Sequence, residues 1–263
     1  FFLLIVSAAF LTRQERVVGL ARAWALLLIP LLSLAVFVSF SRSSWGNVAV
    51  GILAFVAASG KARLSRGAVL LLMLAIPLGA LWFYTPELWD YLVNARLGYL
   101  AQIFSDPNLA SSGRSETWAR MLAIIEDHPQ YLLFGVGYKT LPYTRLFHEE
   151  IITDNGYLSL LLETGVVGCG SLLFLSGAIL KTFLSLARRS NGALRFWSTL
   201  LFSFWCGEMV QMLAADAHTY WRNMVLFFAM MAFTLNRAER QGLLPTGNAG
   251  SRPCRLRRSK VKP

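Results

Sequence analysis

Residues 155–180 read NGYLSLLLETGVVGCGSLLFLSGAIL and contain a single charged residue, Glu163. A run this long and apolar matches the roughly 20 residues with which a helix crosses about 30 Å of hydrocarbon. Further apolar runs, the last two of them shorter, are Ala23–Phe40, Gly67–Tyr84, Phe196–Ala215, Trp45–Ser59 and Asn223–Leu235. The pattern predicts an all-α, polytopic integral membrane protein with about six to seven transmembrane helices.

The composition excludes disordered and ordinary soluble proteins. Hydrophobic residues make up 56% of the 263-residue chain and charged residues only 15%, against about 25% charged in an average soluble domain. The three cysteines form no CxxC motif, so no structural disulfide is expected. The chain opens on Phe1 with an apolar run that stops at Leu11, which predicts a truncated first helix and the C-terminal part of a larger protein.

The distribution of charge predicts which side of the membrane each loop occupies. Alternate loops and the tail hold 18 of the 25 basic residues but only two of the 14 acidic ones, a net charge of +16 against −5 elsewhere. Because positive residues are retained in the cytoplasm, these loops and the tail are predicted to lie on the cytoplasmic side of a bacterial inner membrane. The overall positive charge then needs no nucleic-acid surface to explain it. The predicted regions are N-terminal transmembrane helices (1–84), a periplasmic loop (85–153), C-terminal transmembrane helices (154–236) and a disordered basic tail (237–263).

The predicted periplasmic loop contains two helical patterns. Pro86–Phe104 has an apolar stripe that suits a helix lying on the membrane surface. A second helix is predicted after Ser115, with Glu116 in its first turn and His128-Pro129 at its end. The segment Phe134–Tyr138, with its two glycines, predicts a turn.

Three arginines on the predicted outer side are candidate anion-binding groups. Arg42 lies in the tight turn between two spans, and Arg114 and Arg120 flank the start of the second loop helix. A lipid-snorkelling Arg42 and a solvated helix face are the alternatives. Guanidinium groups bind phosphate oxygens in a fork, so three such residues on one side favour a phosphate site.

Carboxylates near the membrane are the other candidates. Asp154-Asn155 stands where the loop enters the next span, and either side chain can cap a helix; the carboxylate is also a candidate base. Glu163 and Glu208 fall inside spans and must face a partner or a polar cavity. Glu208 with Gln211 forms a polar face that serves a pocket or interhelical hydrogen bonds.

Two motifs do not support a cofactor. His148-Glu149 lacks the second histidine of HExxH because position 152 is Ile152, and the Gly135/Gly137 pair lacks a third glycine because Thr140 stands in its place. No DxD sequence occurs. No metal and no cofactor are therefore predicted.

Taken together, the motifs resemble those of the O-antigen ligase and O-antigen polymerase family over about Pro30 to Leu180. The matching segments are Ser41–Trp45, Gly113–Trp118, His128-Pro129 with Phe134–Tyr138, Asp154–Leu158 and Glu163–Gly168. The resemblance implies a metal-independent membrane glycosyltransferase that takes a glycan from undecaprenyl diphosphate at the periplasmic face. The acceptor is the lipid A core in ligases and another lipid-linked repeat in polymerases.

The resemblance also implies roles for individual residues. Diphosphate contacts fall to Arg42 and Arg114, with Arg120 a weaker addition. Apart from the resemblance, the polar residues Asn155, Glu163 and Glu208 are predicted to contact the substrate. Ligases of this family usually have His-Asn where this chain has Asp154-Asn155, and the histidine activates the acceptor hydroxyl. An aspartate can accept that proton, so Asp154 is the predicted base, and a polymerase or an exopolysaccharide ligase fits better than a lipid A core ligase.

A transporter or flippase of the lipid-linked glycan is the alternative function. It also needs outer arginines and buried acidic residues, and it predicts inverted repeats with broken helices in matching positions. Pro30 and Pro77 are the only hint of such breaks, and no repeat accompanies them.

Overall fold

The computed structural model describes residues 1–39, 41–59, 113–141, 153–215 and 221–244, together with six isolated residues between 75 and 90. These residues form α-helices and short 3-10 turns, without a strand, so the all-α prediction is confirmed for this part of the chain. Apart from those six residues, the predicted surface helix at Pro86–Phe104 and the span at Gly67–Tyr84 lie outside the described part of the chain, as does His148-Glu149. The α-helices are α1 (Phe2–Thr12), α2 (Arg22–Val38), α3 (Arg42–Ser59), α4 (Arg114–Asp127), α5 (Gly156–Arg189), α6 (Gly192–Gln211) and α7 (Trp221–Arg240).

Helices α3 and α6 run antiparallel and in close contact. Near the start of α3, the Asn47 amide reaches Glu208 close to the end of α6. At the other end, Arg195 donates to the Ser59 carbonyl at 2.8 Å. A Cβ atom on Gly207 would lie 2.6 Å from the Asn47 carbonyl oxygen, so glycine permits the approach, as small residues do between membrane helices.

The bundle therefore has two distinct ends. We call the "Asp154 end" the one formed by the starts of α3 and α5 and the end of α6. The opposite "basic end" carries Arg195, Arg188 and Arg189 at the last turn of α5, and Arg237. A cleft of about 570 Å³ opens at the basic end between α6 and α7, far along the bundle from Asp154.

Two apolar cores hold these elements. The larger core joins α1, α2, α3, α5, α6 and α7, and includes the ring of Phe227, whose centroid lies 5.3 Å from that of Phe204 and 4.9 Å from that of Trp205. The smaller core joins Met121 of α4 to Leu141 and to Leu162 of α5. It fixes the loop helix α4 against the beginning of α5, at the Asp154 end.

Helix α5 is broken at Gly165, whose backbone is left-handed (φ 68°, ψ −170°). Among the described helices, α5 is the one long and apolar enough to cross a membrane; α1, α2 and residues 43–59 of α3 are apolar but shorter. The count of six to seven transmembrane helices stays a prediction. Helix α4 begins at Arg114, two residues before the start expected after Ser115, and ends at Asp127 as expected.

Candidate active site at the Asp154 end

The centre of the site is an ion pair between the loop helix and the start of α5. Arg114 is the first residue of α4, and its Nε donates to Oδ2 of Asp154 at 3.1 Å. The two side chains are 30% and 47% exposed, so solvent screens the pair and its contribution to stability is modest. The pair joins two of the three residues predicted to be catalytic.

The conformation of Asp154 and a hydrogen bond to the preceding residue fix the position of its backbone. Its φ is 44°, a left-handed conformation that Asp and Asn tolerate better than most residues. The preceding Thr153 carbonyl accepts a 3.0 Å hydrogen bond from the indole Nε1 of Trp118 in α4. Helix α4 thus contacts this turn twice: Arg114 binds the Asp154 side chain, and Trp118 binds the Thr153 backbone.

Asn155, and not Asp154, is the N-cap of α5. Its Oδ1 accepts from the backbone N–H groups of Tyr157 and Leu158, both at 3.1 Å, which satisfies two donors that the helix start leaves open. Its Nδ2 donates to the Leu213 carbonyl at 3.2 Å. The predicted substrate contact of Asn155 stays a prediction, while the structure gives this side chain a capping role that releases Asp154 from one.

The end of α6 holds the start of α5 through backbone carbonyls. Gly156 N–H donates to Met212 at 2.8 Å, and the Tyr157 hydroxyl donates to Met209 at 2.9 Å. The carbonyls of a helix's last turn have no partner within the helix. Here they hold Gly156 and Tyr157, two and three residues after Asp154, so the position of the carboxylate depends on α6.

Glu208 and Gln211 form an interhelical hydrogen-bond network with Asn47. Nδ2 of Asn47 donates to Oε1 of Glu208 at 3.1 Å and to Oε1 of Gln211 at 2.5 Å. All three residues are buried. Of the two interpretations of this polar face, a pocket or helix packing, the structure shows helix packing; the predicted substrate contact of Glu208 stays a prediction.

Arg42 is the first residue of α3, and its side chain lies outside what the structure describes. Its helix start is well defined: the Ser41 hydroxyl oxygen accepts from Ser44 N–H at 3.3 Å. Trp45 stacks on Phe37 at 4.9 Å and donates from Nε1 to the Val36 carbonyl at 3.0 Å. Since α3 begins where α6 ends, the Arg42 backbone lies at the Asp154 end of the bundle.

Comparison with known proteins decides the family. Residues 24–173, more than half of the chain, match the family model described as O-Antigen ligase. The chain belongs to the O-antigen ligase family. No curated protein and no solved structure matches it. Membership makes the chain a membrane glycosyltransferase of the ligase or polymerase type, with a lipid-linked glycan and an acceptor as substrates.

The O-antigen ligase match spans the ion pair and most of the predicted site. Arg42, Arg114, Asp154 and Glu163 lie within the matched residues, while Glu208 lies beyond them on α6. Helix α6, whose end holds the start of α5 next to Asp154, is therefore outside the matched range.

Arg120 does not join the Arg114–Asp154 pair. Its Nη2 donates to Oε1 of Glu116 at 2.6 Å, and both side chains are largely exposed. Because each residue of a helix turns about 100°, Arg120, six residues after Arg114, lies on a different face of α4, with an angular separation of about 120° around the helix axis. Its predicted diphosphate contact stays a prediction.

Glu163 lies at the helix break and is 3% exposed. Its backbone carbonyl accepts the Gly137 N–H at 2.9 Å. The sequence placed Glu163 in a span next to a partner or polar cavity, and the structure shows it at the contact between α5 and the loop after α4. Its predicted substrate contact stays a prediction.

Asn47 and Trp118 position the site but were not singled out as site residues from the sequence. Asn47 is followed by the apolar run Val48–Ala58 of its helix, and a buried amide at membrane depth requires a partner; the sequence therefore contained a signal for Asn47. Trp118 entered the sequence analysis only as the last residue of the Gly113–Trp118 segment, and nothing in its pattern indicated the hydrogen bond to Thr153. Within the described part of the chain, no group of three or more His, Cys, Asp or Glu side chains is arranged to hold a metal ion.

Proposed function

We propose that this protein transfers an undecaprenyl-diphosphate-linked glycan to an acceptor hydroxyl at the periplasmic face of the bacterial inner membrane. The product is a surface polysaccharide or exopolysaccharide. The observation that carries the proposal is the Arg114–Asp154 pair at 3.1 Å in a member of the O-antigen ligase family. This pair supports the proposal because a carboxylate that can accept a proton lies beside a guanidinium that can bind phosphate oxygens.

In the proposed reaction, Asp154 accepts the proton of the acceptor hydroxyl as its oxygen attacks the anomeric carbon. The bond from that carbon to the diphosphate oxygen breaks, and undecaprenyl diphosphate leaves with the bonding electron pair. Arg114 donates to Asp154 through Nε. The other N–H groups of a guanidinium can donate to phosphate oxygens. Arg114 and Arg42 then stabilise the charge that develops on the leaving group, a preorganised electrostatic effect.

The arrangement of charge supports the periplasmic location. The arginines at the ends of α5 and α7 and at the start of α6 gather at the basic end. The positive-inside rule assigns that end to the cytoplasm. The Asp154 end then faces the periplasm, where the lipid-linked donor is proposed to bind.

Reconstitution of the full-length protein tests the function. Vesicles receive a lipid-linked glycan donor and, in parallel reactions, either lipid A core or no further acceptor. Released undecaprenyl diphosphate with a lengthened or transferred glycan supports the proposal and distinguishes polymerase from ligase. Donor that crosses the membrane without release of the diphosphate would instead indicate a flippase.

A further inference from the structure

At the break in α5, the helical hydrogen bonds are replaced by hydrogen bonds to the backbone of the loop after α4. In an unbroken helix, the N–H groups of residues 166 and 167 would bond the carbonyls of residues 162 and 163. Here Val166 N–H donates to Leu132 at 2.8 Å and Val167 N–H donates to Leu133 at 3.3 Å. We call residues 132–137 the "wedge loop".

The two carbonyls released by the break are also taken by the wedge loop. Val136 N–H donates to the Leu162 carbonyl at 3.0 Å, and Gly137 N–H donates to Glu163 at 2.9 Å. Two helical hydrogen bonds are thus replaced by four between the loop and the helix. Every group that the break releases at these four positions has a partner.

Two glycines allow this exchange because the two backbones touch. A Cβ atom on Gly135 would overlap the Glu163 carbonyl, and one on Gly165 would overlap the Leu133 carbonyl. The φ angles of the two glycines are 71° and 68°, in the region that favours glycine. The wedge loop is therefore fixed to α5 by its backbone, and the side chains of Leu132, Leu133 and Phe134 face outward.

Those side chains form an exposed apolar surface. Leu132, Leu133 and Phe134 are 42%, 54% and 69% exposed, and Val166 and Val167 beside them are 49% and 47% exposed. The surface continues along α5 with Leu173, Phe174 and Leu175, all exposed. The wedge loop is thus continuous with the outward apolar face of the helix that is long enough to span the membrane.

The length of α5 gives the depth of the wedge loop. Residues 166–188 rise about 33 Å at 1.5 Å per residue, close to the hydrocarbon thickness of about 30 Å. With Arg188 and Arg189 at one interface, Val166 reaches the edge of the hydrocarbon on the other side. Tyr138 and Lys139 follow the wedge loop, with the Lys139 ammonium 5.8 Å from the tyrosine ring centroid, a residue pair typical of the headgroup region.

From this geometry we infer that Leu133 and Phe134 insert into the acyl chains of the bilayer leaflet on the Asp154 side. Irregular backbone at that depth requires that its polar groups be satisfied, and the exchange with α5 satisfies them. The insertion holds the wedge loop at the membrane surface, level with the lipid part of a membrane-bound substrate. The inference stands independently of the proposed reaction.

Spin-label accessibility tests the insertion. In full-length protein whose Cys169, Cys206 and Cys254 are replaced by serine, a nitroxide is attached at Phe134→Cys or Leu133→Cys, and the protein is reconstituted in phosphatidylethanolamine and phosphatidylglycerol vesicles. Collision rates are measured with oxygen, which concentrates in hydrocarbon, and with a water-soluble nickel chelate. Phe174→Cys on the exposed face of α5 is the membrane reference, and Glu126→Cys on α4 is the aqueous reference.

We expect the ratio of oxygen to nickel collisions at both wedge-loop positions to exceed that at Glu126 several-fold and to approach that at Phe174. A ratio equal to that at Glu126 would overturn the inference, because the surface would then face water. Low collision rates with both reagents would also overturn it, because another protein segment or a second copy would then cover the surface. Neither readout depends on turnover, so failure here leaves the proposed glycan transfer untouched.

Discussion

At the scale of single residues, the carboxylate of Asp154 carries the proposed chemistry and is not needed for the helix cap. Because Asn155 caps α5 and asparagine tolerates a φ of 44°, Asp154→Asn should fold with unchanged thermal stability. Glycan transfer should fall about 10²- to 10⁴-fold, the scale of general-base catalysis. Initial transfer rates beside thermal unfolding measure this, and Asp127→Asn at the end of α4 is the matched control. A normal rate in Asp154→Asn would remove Asp154 as the base.

Arg114 can be tested by a change that keeps its charge. Lysine lacks the planar fork that binds a carboxylate and a phosphate together, so Arg114→Lys should lower transfer about 10²-fold, as loss of one preorganised donor does. Arg42→Lys should behave similarly if its side chain binds the diphosphate. Arg120→Lys is the control, because lysine can keep the pair with Glu116. An equal loss in Arg120→Lys would place that residue in the anion site as well.

At the scale of secondary-structure elements, Gly165 determines how α5 meets the wedge loop. Gly165→Ala should destabilise the protein by at least about 1–3 kcal/mol, because alanine is strained at this φ and its Cβ would overlap the Leu133 carbonyl. Gly170→Ala, five residues along the same helix, has open space around its Cβ and should be neutral or stabilising. Thermal unfolding in detergent compares the two variants. Equal stability would show that the loop and helix can separate without cost.

The contact between α3 and α6 tests whether Glu208 binds substrate or packs helices. Glu208→Gln keeps the oxygen that accepts from Asn47, so packing alone predicts near-normal transfer. Asn47→Leu leaves the buried oxygens of Glu208 and Gln211 without that donor, which costs about 1–3 kcal/mol per unsatisfied group. Unfolding and transfer rates are measured together. A Glu208→Gln protein that is stable but inactive would give Glu208 a direct role in the reaction.

At the scale of the whole molecule, the two ends of the bundle should lie on opposite sides of the membrane. In the cysteine-free background, Glu126→Cys on α4 should react with an impermeant thiol reagent in intact cells. Glu239→Cys near the end of α7 should react only after permeabilisation. The split between +16 and −5 net charge predicts this orientation. Protection of position 126 in intact cells would reverse the sides and move the proposed site to the cytoplasm.

The sequence by itself determined the features that depend on neighbouring residues. The apolar runs predicted most described helices to within a few residues, because hydrophobic length and helix stop signals are local. Helix α4 was placed by Glu116 and by His128-Pro129. The sides of the membrane follow from the counts of basic residues as a prediction. The family resemblance rested on motifs whose order is visible along the chain, and the family match confirmed it.

Only the tertiary structure decided which side chain of a local pair does which task. Asp154 and Asn155 are both good caps, and the choice between them depends on Arg114, 40 residues earlier, and on Leu213, 58 residues later. The partner of Glu208 is Asn47, 161 residues away, and Gly135 needs no side chain because the backbone of Glu163 occupies that space. Each of these contacts joins two segments that are far apart in the sequence. The local pattern of either segment contains no information about the other.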